Sequence, residues 1–139
     1  MIFLTVSVLA LSFPGCGKKE NTSDRTLRVG IVTYTQDDPF INTMTEQIRE
    51  DLKLKESKDM KILVSVKNGD NDQRDQDELV EEMIAAWCDG LCVNLVDRTA
   101  PSDIIKAARQ EKIPVIFFNR EPVKEDLMQW DQLYYVGCD

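Results

Sequence analysis

The sequence predicts an α/β fold in which an open, mostly parallel sheet is covered by helices on both faces. Segments with the period of a β-strand alternate with segments with the period of an α-helix, and the connections between them are short. The strand-like segments are also almost continuously apolar, which is typical of parallel strands buried on both faces. This alternation favours one sheet built by right-handed β-α-β crossovers.

The first two strand and helix pairs occupy residues 27–87. Residues 27–33 and 60–66 are short runs rich in β-branched and aliphatic side chains, which predicts two strands. Residues 43–54 follow the first run with Met44, Ile48 and Leu52 at a spacing of four, which predicts an amphipathic helix. A second helix carries the apolar residues Leu79, Val80, Met83, Ile84, Ala86 and Trp87, and we expect Gly90 to end it.

A third pair and a fourth strand complete the predicted core. Residues 91–96 and 114–118 are apolar, strand-like runs. Residues 101–110 between them predict a helix that turns Ile104, Ile105, Ala107 and Ala108 inward. A last strand-like run, residues 133–138, follows a polar segment. Three strand and helix repeats therefore lead into a fourth strand.

The amino-terminal segment predicts an export signal. Residues 1–11 are almost wholly apolar, residues 12–15 lead to Cys16, and the residues after Cys16 are polar or small. The apolar run is shorter than a membrane-spanning helix requires. We therefore expect a signal peptide over residues 1–15 and a tether over residues 16–26. Cys16 resembles the lipidated cysteine of bacterial lipoproteins; the alternative is a cleaved signal with an incidental cysteine.

The composition argues against nucleic-acid binding and catalysis. The chain has 25 acidic and 17 basic residues, a formal net charge of −8, and no histidine. An acidic chain is a poor partner for nucleic acid, and without histidine a Ser-His or Cys-His nucleophile is impossible. Residues 33–38, which follow the first strand, contain no glycine for a nucleotide phosphate. We expect Cys88, Cys92 and Cys138 to be unpaired thiols, and we expect no metal site.

Polar segments follow three of the predicted strands. They are residues 34–40 (YTQDDPF), 94–97 (NLVD) and 119–122 (NREP). In open α/β sheets, ligands bind outside the carboxyl ends of the strands, so these segments are the candidate site.

Three residues of these segments suit a polyhydroxylated ligand. The carboxylate of Asp38 can accept hydrogen bonds from hydroxyls, the amide of Asn94 can donate and accept, and the ring of Phe40 can cover the C–H face of a pyranose. Each has a structural alternative. Asp37 or Asp38 could cap a helix that begins at Pro39, Phe40 could be a core residue, and Asn94 could bond to neighbouring backbone.

Together with YYVG at residues 134–137, these segments resemble the galactose/glucose-binding proteins of the type I periplasmic binding protein family. The resemblance covers residues 28–137 and implies a Rossmann-like lobe. It implies that Asp38 accepts hydrogen bonds from sugar hydroxyls, that Phe40 stacks on the ring, and that Asn94 bonds to another hydroxyl. Asn119, Arg120 and Glu121 would be hinge and cleft-edge residues.

The resemblance also implies a domain organisation. Residues 27–118 would form an incomplete N-terminal sugar-binding lobe, and residues 119–139 would form the crossover between lobes and the first strand of a second lobe that is largely absent. We expect no cofactor in this chain, although many full-length members bind calcium. We expect the isolated chain to be poorly stable because its last strand would have no partner strand.

The function implied by the resemblance is transport. The chain would bind glucose or galactose in the periplasm, held at a membrane by a lipidated Cys16, and deliver the sugar to the permease subunits of an ABC transporter. It would not be an enzyme. The alternatives are a sugar sensor or chemoreceptor component and a non-functional truncated product.

Overall fold

The computed structural model describes residues 25–137 of the 139-residue chain. Strands and helices alternate through this part of the chain, as predicted. Their bounds are β1 (Arg25–Thr33), α1 (Pro39–Lys53), β2 (Met60–Asn68), α2 (Gln73–Ala85), β3 (Gly90–Val93), α3 (Ser102–Glu111), β4 (Val115–Phe118), α4 (Lys124–Leu127) and β5 (Leu133–Val136).

The strands form a parallel five-stranded sheet in the order β2-β1-β3-β4-β5. The chain moves in one direction across the sheet through α1 and in the opposite direction through α2, α3 and α4. Since such crossovers are right-handed, α1 covers one face and the other three helices cover the other. The predicted fold class is confirmed.

The main core lies between the sheet and the face formed by α2 and α3. Val32, Val93 and Phe117 point into it from β1, β3 and β4, and all three are fully buried. Ile104, Ile105 and Ala108 of α3 are buried as predicted, whereas Ala107 is only partly buried. The carboxyl ends of β1, β3 and β4 are therefore fixed by one continuous apolar cluster.

Two predicted helix ends differ from the structure. Helix α1 begins at Pro39, four residues earlier than the prediction from apolar spacing, because Asp38 caps it. Gly90 does not end α2. The helix ends at Ala85, Trp87 takes the left-handed backbone conformation with φ 64°, and Gly90 begins β3. Trp87 thus occupies a conformation that usually selects glycine, and its side chain is 82% exposed.

Strand β5 has a partner, so the prediction that the last strand is unpaired is wrong. It pairs with β4 in parallel, with Phe117 opposite Tyr135. The short helix α4 returns the chain across the same face as α2 and α3, where Leu127 and Trp130 pack against the core. Strand β5 therefore completes the same sheet as β1, β2, β3 and β4. The side chain of Val136 remains 61% exposed.

Cys88 and Cys92 are free thiols, as predicted, with Cys88 buried and Cys92 partly buried. Burial raises the pKa of each to about 11, so both stay protonated at neutral pH. Cys16, Cys138 and the predicted signal peptide lie outside the described residues. Between residues 25 and 137, no helix is long and apolar enough to cross a membrane.

Candidate functional site

The segments that follow β1, β3 and β4 lie side by side at the carboxyl edge of the sheet. The backbone N–H of Asn94 donates to the carbonyl of Val32 (2.9 Å), which ties the end of β3 to β1. The N–H of Asn119 donates to the carbonyl of Val136 (3.0 Å), which ties the end of β4 to β5. The prediction that these segments share one edge is confirmed.

Asp38 caps helix α1 and also holds a neighbouring tyrosine. Its Oδ1 accepts from the N–H of Phe40 at 2.9 Å, and its Oδ2 accepts from the hydroxyl of Tyr34 at 2.7 Å. The capping alternative is therefore observed. Both carboxylate oxygens keep lone pairs for further donors. The capping role does not prevent Asp38 from contacting a ligand.

These hydrogen bonds also set the charge of Asp38. The hydroxyl of Tyr34, followed by the N–H of Phe40, lowers the pKa of Asp38, so the carboxylate is ionised at neutral pH. The pKa of Tyr34 is raised, chiefly because its hydroxyl donates to Asp38. The site therefore presents an oriented negative charge beside a protonated phenol.

Phe40 is not a core residue. Its side chain is 59% exposed, and the buried residues of α1 are Ile41 and Thr45. The ring lies two residues after Asp38, at the same end of the helix. The sequence left two roles open for Phe40, a core residue or a ligand contact. The structure excludes the first role and leaves the ring free to contact a ligand.

Asn94 is fully buried, and its side-chain Nδ2 donates to the carbonyl of Phe118 at 3.0 Å. The backbone-bonding alternative is thus observed for this side chain. Its Oδ1 is also buried, and it has no hydrogen-bond partner. An unpaired buried acceptor is unfavourable, and this oxygen has no donor within hydrogen-bond distance.

The structure reveals Gln76, which the sequence analysis missed, directly beneath this segment. Its side chain is fully buried, its Nε2 donates to the carbonyl of Asn94 (3.0 Å), and its Oε1 accepts from the N–H of Val96 (2.9 Å). The sequence indicates that Gln76 faces the core, because it lies on the same face of the helix as Val80 and Met83.

The segment after β4 crosses toward the other two. Asn119 has a left-handed backbone with φ 62°, and its carbonyl accepts from the hydroxyl of Tyr135 at 3.3 Å. Glu121 is exposed, and its carbonyl accepts from the Nε of Arg98. Neither side chain forms part of the Asp38 network.

Arg120 connects all three segments. Its guanidinium lies over the ring of Tyr34, 3.7 Å from the centroid, and its Nη1 donates to the carbonyls of Leu95 (3.2 Å) and Val96 (2.9 Å). Tyr34 was not predicted as a site residue, although it is the first residue after β1 and stands four residues before Asp38. Tyr34 thus links Asp38 to Arg120.

The arrangement is suited to binding. It offers an ionised carboxylate, a guanidinium and an exposed aromatic ring at one edge, which together can hydrogen-bond hydroxyls and cover an apolar face. A separate groove of about 840 Å³, lined by residues that include Trp87 and Cys88, lies at the opposite, amino edge of the sheet and shares no residue with this site.

Comparisons with known proteins agree with this fold. A family model described as "Periplasmic binding protein domain" matches residues 29–139. The D-galactose/methyl-galactoside binding periplasmic protein of Haemophilus influenzae is 33% identical over 112 residues, which are 81% of this chain and 33% of that protein.

Solved structures share the fold at lower sequence identity. A solute binding protein of an ABC transporter from Clostridium phytofermentans, with bound β-D-glucose, has a TM-score of 0.67 and 23% identity over 81% of this chain and 32% of its own. The fructose binding periplasmic domain of a hybrid two-component system has a TM-score of 0.66 and 23% identity over 81% of this chain and 34% of its own. This chain thus spans about a third of the length of the proteins that it matches.

Proposed function

The chain belongs to the periplasmic binding protein family, and we propose that it forms the N-terminal lobe of a receptor that binds glucose or galactose for an ABC transporter. The observation that carries this proposal is the pairing of an ionised Asp38 with an exposed Phe40 ring at the carboxyl edge of the sheet. A carboxylate can accept hydrogen bonds from two adjacent hydroxyls, while a ring next to it covers the C–H face of the same sugar.

The choice of a hexose rests on two supports. The first is the set of local segments around Asp38, Asn94 and Asn119, which resemble those of galactose/glucose-binding proteins. The second is the relative from Haemophilus influenzae, which is named for galactose and methyl-galactoside. The solved structures are less than 25% identical to this chain and support the fold alone.

The proposed site is one wall of a cleft, formed by the loops after β1, β3 and β4. An open wall holds a sugar on one side only, so most of the ligand surface would remain in water. Binding by this chain alone is therefore expected to be weak, because a few hydrogen bonds and one stacked ring must offset the cost of association.

We expect glucose or galactose to bind with a dissociation constant of about 1 mM. Titration of the 139-residue chain, followed by nuclear magnetic resonance, should shift the signals of Tyr34, Asp38 and Phe40. A Phe40→Ala variant should lose these shifts. Trp87→Ala, which removes an exposed aromatic ring at the opposite edge, should retain them. Shifts confined to the groove around Trp87 would contradict the proposed site.

We also propose that the protein is held at a membrane facing the periplasm by lipidation of Cys16. The support is the apolar run before Cys16 and the polar residues after it. A Cys16→Ser variant should move from the membrane fraction to the soluble periplasmic fraction, whereas Cys88→Ser should stay with the membrane. Equal membrane association of the two variants would show that Cys16 is an incidental cysteine.

A further inference from the structure

Residues 94–97 belong to no strand or helix, yet their backbone is held in place. At the start of this segment, the N–H of Asn94 donates to the carbonyl of Val32 (2.9 Å). At its end, the carbonyl of Asp97 accepts from the N–H of Ala100 (3.3 Å). Side chains hold most of the backbone groups between these two bonds. The shape of the segment therefore depends on the side chains that reach it.

Two amide side chains at the start of α2, one turn apart, bind the segment. The side chain of Gln76 donates to the carbonyl of Asn94 and accepts from the N–H of Val96. The Oε1 of Gln73 accepts from the N–H of Asp97 at 2.8 Å. Gln76 thus holds the beginning and middle of the segment, and Gln73 holds its end.

Asp77 sets the orientation of the Gln73 amide. The Nε2 of Gln73 donates to Oδ1 of Asp77, one turn further along α2, at 2.8 Å. An amide nitrogen donates and an amide oxygen accepts, so the bond to Asp77 leaves Oε1 to face the N–H of Asp97. Gln73 and Asp77 are both partly buried. Gln73 is therefore an oriented acceptor for the backbone of the segment.

The segment in turn holds Arg120 at the candidate site. The Nη1 of Arg120 donates to the carbonyls of Leu95 and Val96, and its guanidinium lies over the ring of Tyr34. The hydroxyl of Tyr34 donates to Asp38. A change in the direction of the two carbonyls would therefore reach the guanidinium, the ring and the carboxylate in turn.

We infer, on the basis of the proposed function, that Gln73 is a positioning residue of the sugar site, which acts through the segment after β3 and touches no ligand itself. The carbonyls of Leu95 and Val96 lie between the groups that Gln76 and Gln73 hold. With both sides fixed on α2, these carbonyls point at Arg120 before any ligand arrives. The ordering of the segment then takes nothing from the free energy of sugar binding.

Two substitutions of Gln73 test this role in the 139-residue chain. Gln73→Met keeps the length of the side chain and removes both hydrogen bonds, whereas Gln73→Glu keeps an acceptor for the N–H of Asp97. In Gln73→Met, backbone hydrogen exchange of Asp97, measured by nuclear magnetic resonance, should accelerate by about tenfold. The dissociation constant for glucose or galactose should rise by about fivefold. Gln73→Glu should stay closer to wild type in both measurements.

Gln47→Met is the matched control on another helix. The Nε2 of Gln47 donates to Oδ1 of Asp51 at 3.0 Å, in the same spacing of four residues, on the exposed surface of α1. This variant should match wild type in sugar affinity and in the exchange of Asp97. The urea midpoints of Gln73→Met and Gln47→Met should lie close together, so that a loss of affinity in Gln73→Met reports the site and not unfolding.

The outcomes separate this role from the proposed function. If wild type binds sugar, unchanged affinity in Gln73→Met would overturn the positioning role, and so would equal losses in Gln73→Met and Gln73→Glu. If wild type binds neither sugar, the proposed function is rejected, and the signals of the Tyr34 ring and the Arg120 guanidinium decide the role of Gln73. Shifts of these signals in Gln73→Met but not in Gln47→Met would support it, and unshifted signals would overturn it.

Discussion

Replacing Phe117 with alanine is expected to lower the free energy of unfolding by about 3–5 kcal/mol. Among residues 25–137, Phe117 has the largest fully buried side chain, and it belongs to the cluster that joins β4 to α2 and α3. Its removal leaves a cavity that the surrounding strands cannot close without moving. Since small domains are stable by about 5–15 kcal/mol in total, the variant should lose a large part of its stability. Urea denaturation followed by circular dichroism measures the change.

The matched control for this variant is its neighbour on the opposite face of β4. Ile116 is 38% exposed and lies outside the main cluster, so Ile116→Ala should shift the free energy of unfolding far less. Equal losses for the two variants would show that the face covered by α2 and α3 is not the principal core.

Asp38→Ala is expected to weaken sugar binding by about tenfold or more, because charge-assisted hydrogen bonds to the ligand are lost. The same change removes the N-cap of α1 and the acceptor for the hydroxyl of Tyr34, so the denaturation midpoint should also fall. Both effects are measured on one variant, by titration with glucose or galactose and by chemical denaturation.

Two further variants separate the two roles of Asp38. Asp38→Asn keeps a good capping side chain but removes the negative charge, so it should retain stability and still bind sugar poorly. Asp72 caps α2 in the same way, through the N–H groups of Arg74 and Asp75, so Asp72→Ala should lower stability and leave binding unchanged. Normal sugar binding by Asp38→Asn would limit Asp38 to a capping role.

The fold could be predicted from the sequence because its determinants are local and periodic. The alternation of apolar strands with amphipathic helices is visible in short stretches of sequence. It was enough to predict one sheet of four strands with three helices packed on it. The pairing of the fifth strand with β4 was not predicted, because α4 has only four residues and shows no helical period in the sequence. Without a recognisable crossover helix, nothing in the sequence indicated that β5 returns to β4.

The candidate site could be predicted only in part. Asp38 and Phe40 were selected from the sequence because they lie between the end of β1 and the first turn of α1, where the type of a residue indicates its possible roles. The contact of Asp38 with Tyr34, and that of Tyr34 with Arg120, depend on side-chain directions in loops that meet only after folding. The buried state of Asn94 likewise depends on neighbours from other strands, including the carbonyl of Phe118.

Gln76 connects the segment after β3 at the candidate site to the buried core. Its Nε2 donates to the carbonyl of Asn94, and its Oε1 accepts from the N–H of Val96. Val80 and Met83, on the same face of α2, are buried against the sheet. This segment can therefore open only if a fully buried amide gives up both partners or α2 moves with it. The segment at the base of the site and the core thus form one cooperative unit. We therefore expect a substitution of Gln76 itself to lower the affinity of the proposed site, although Gln76 is fully buried beneath it.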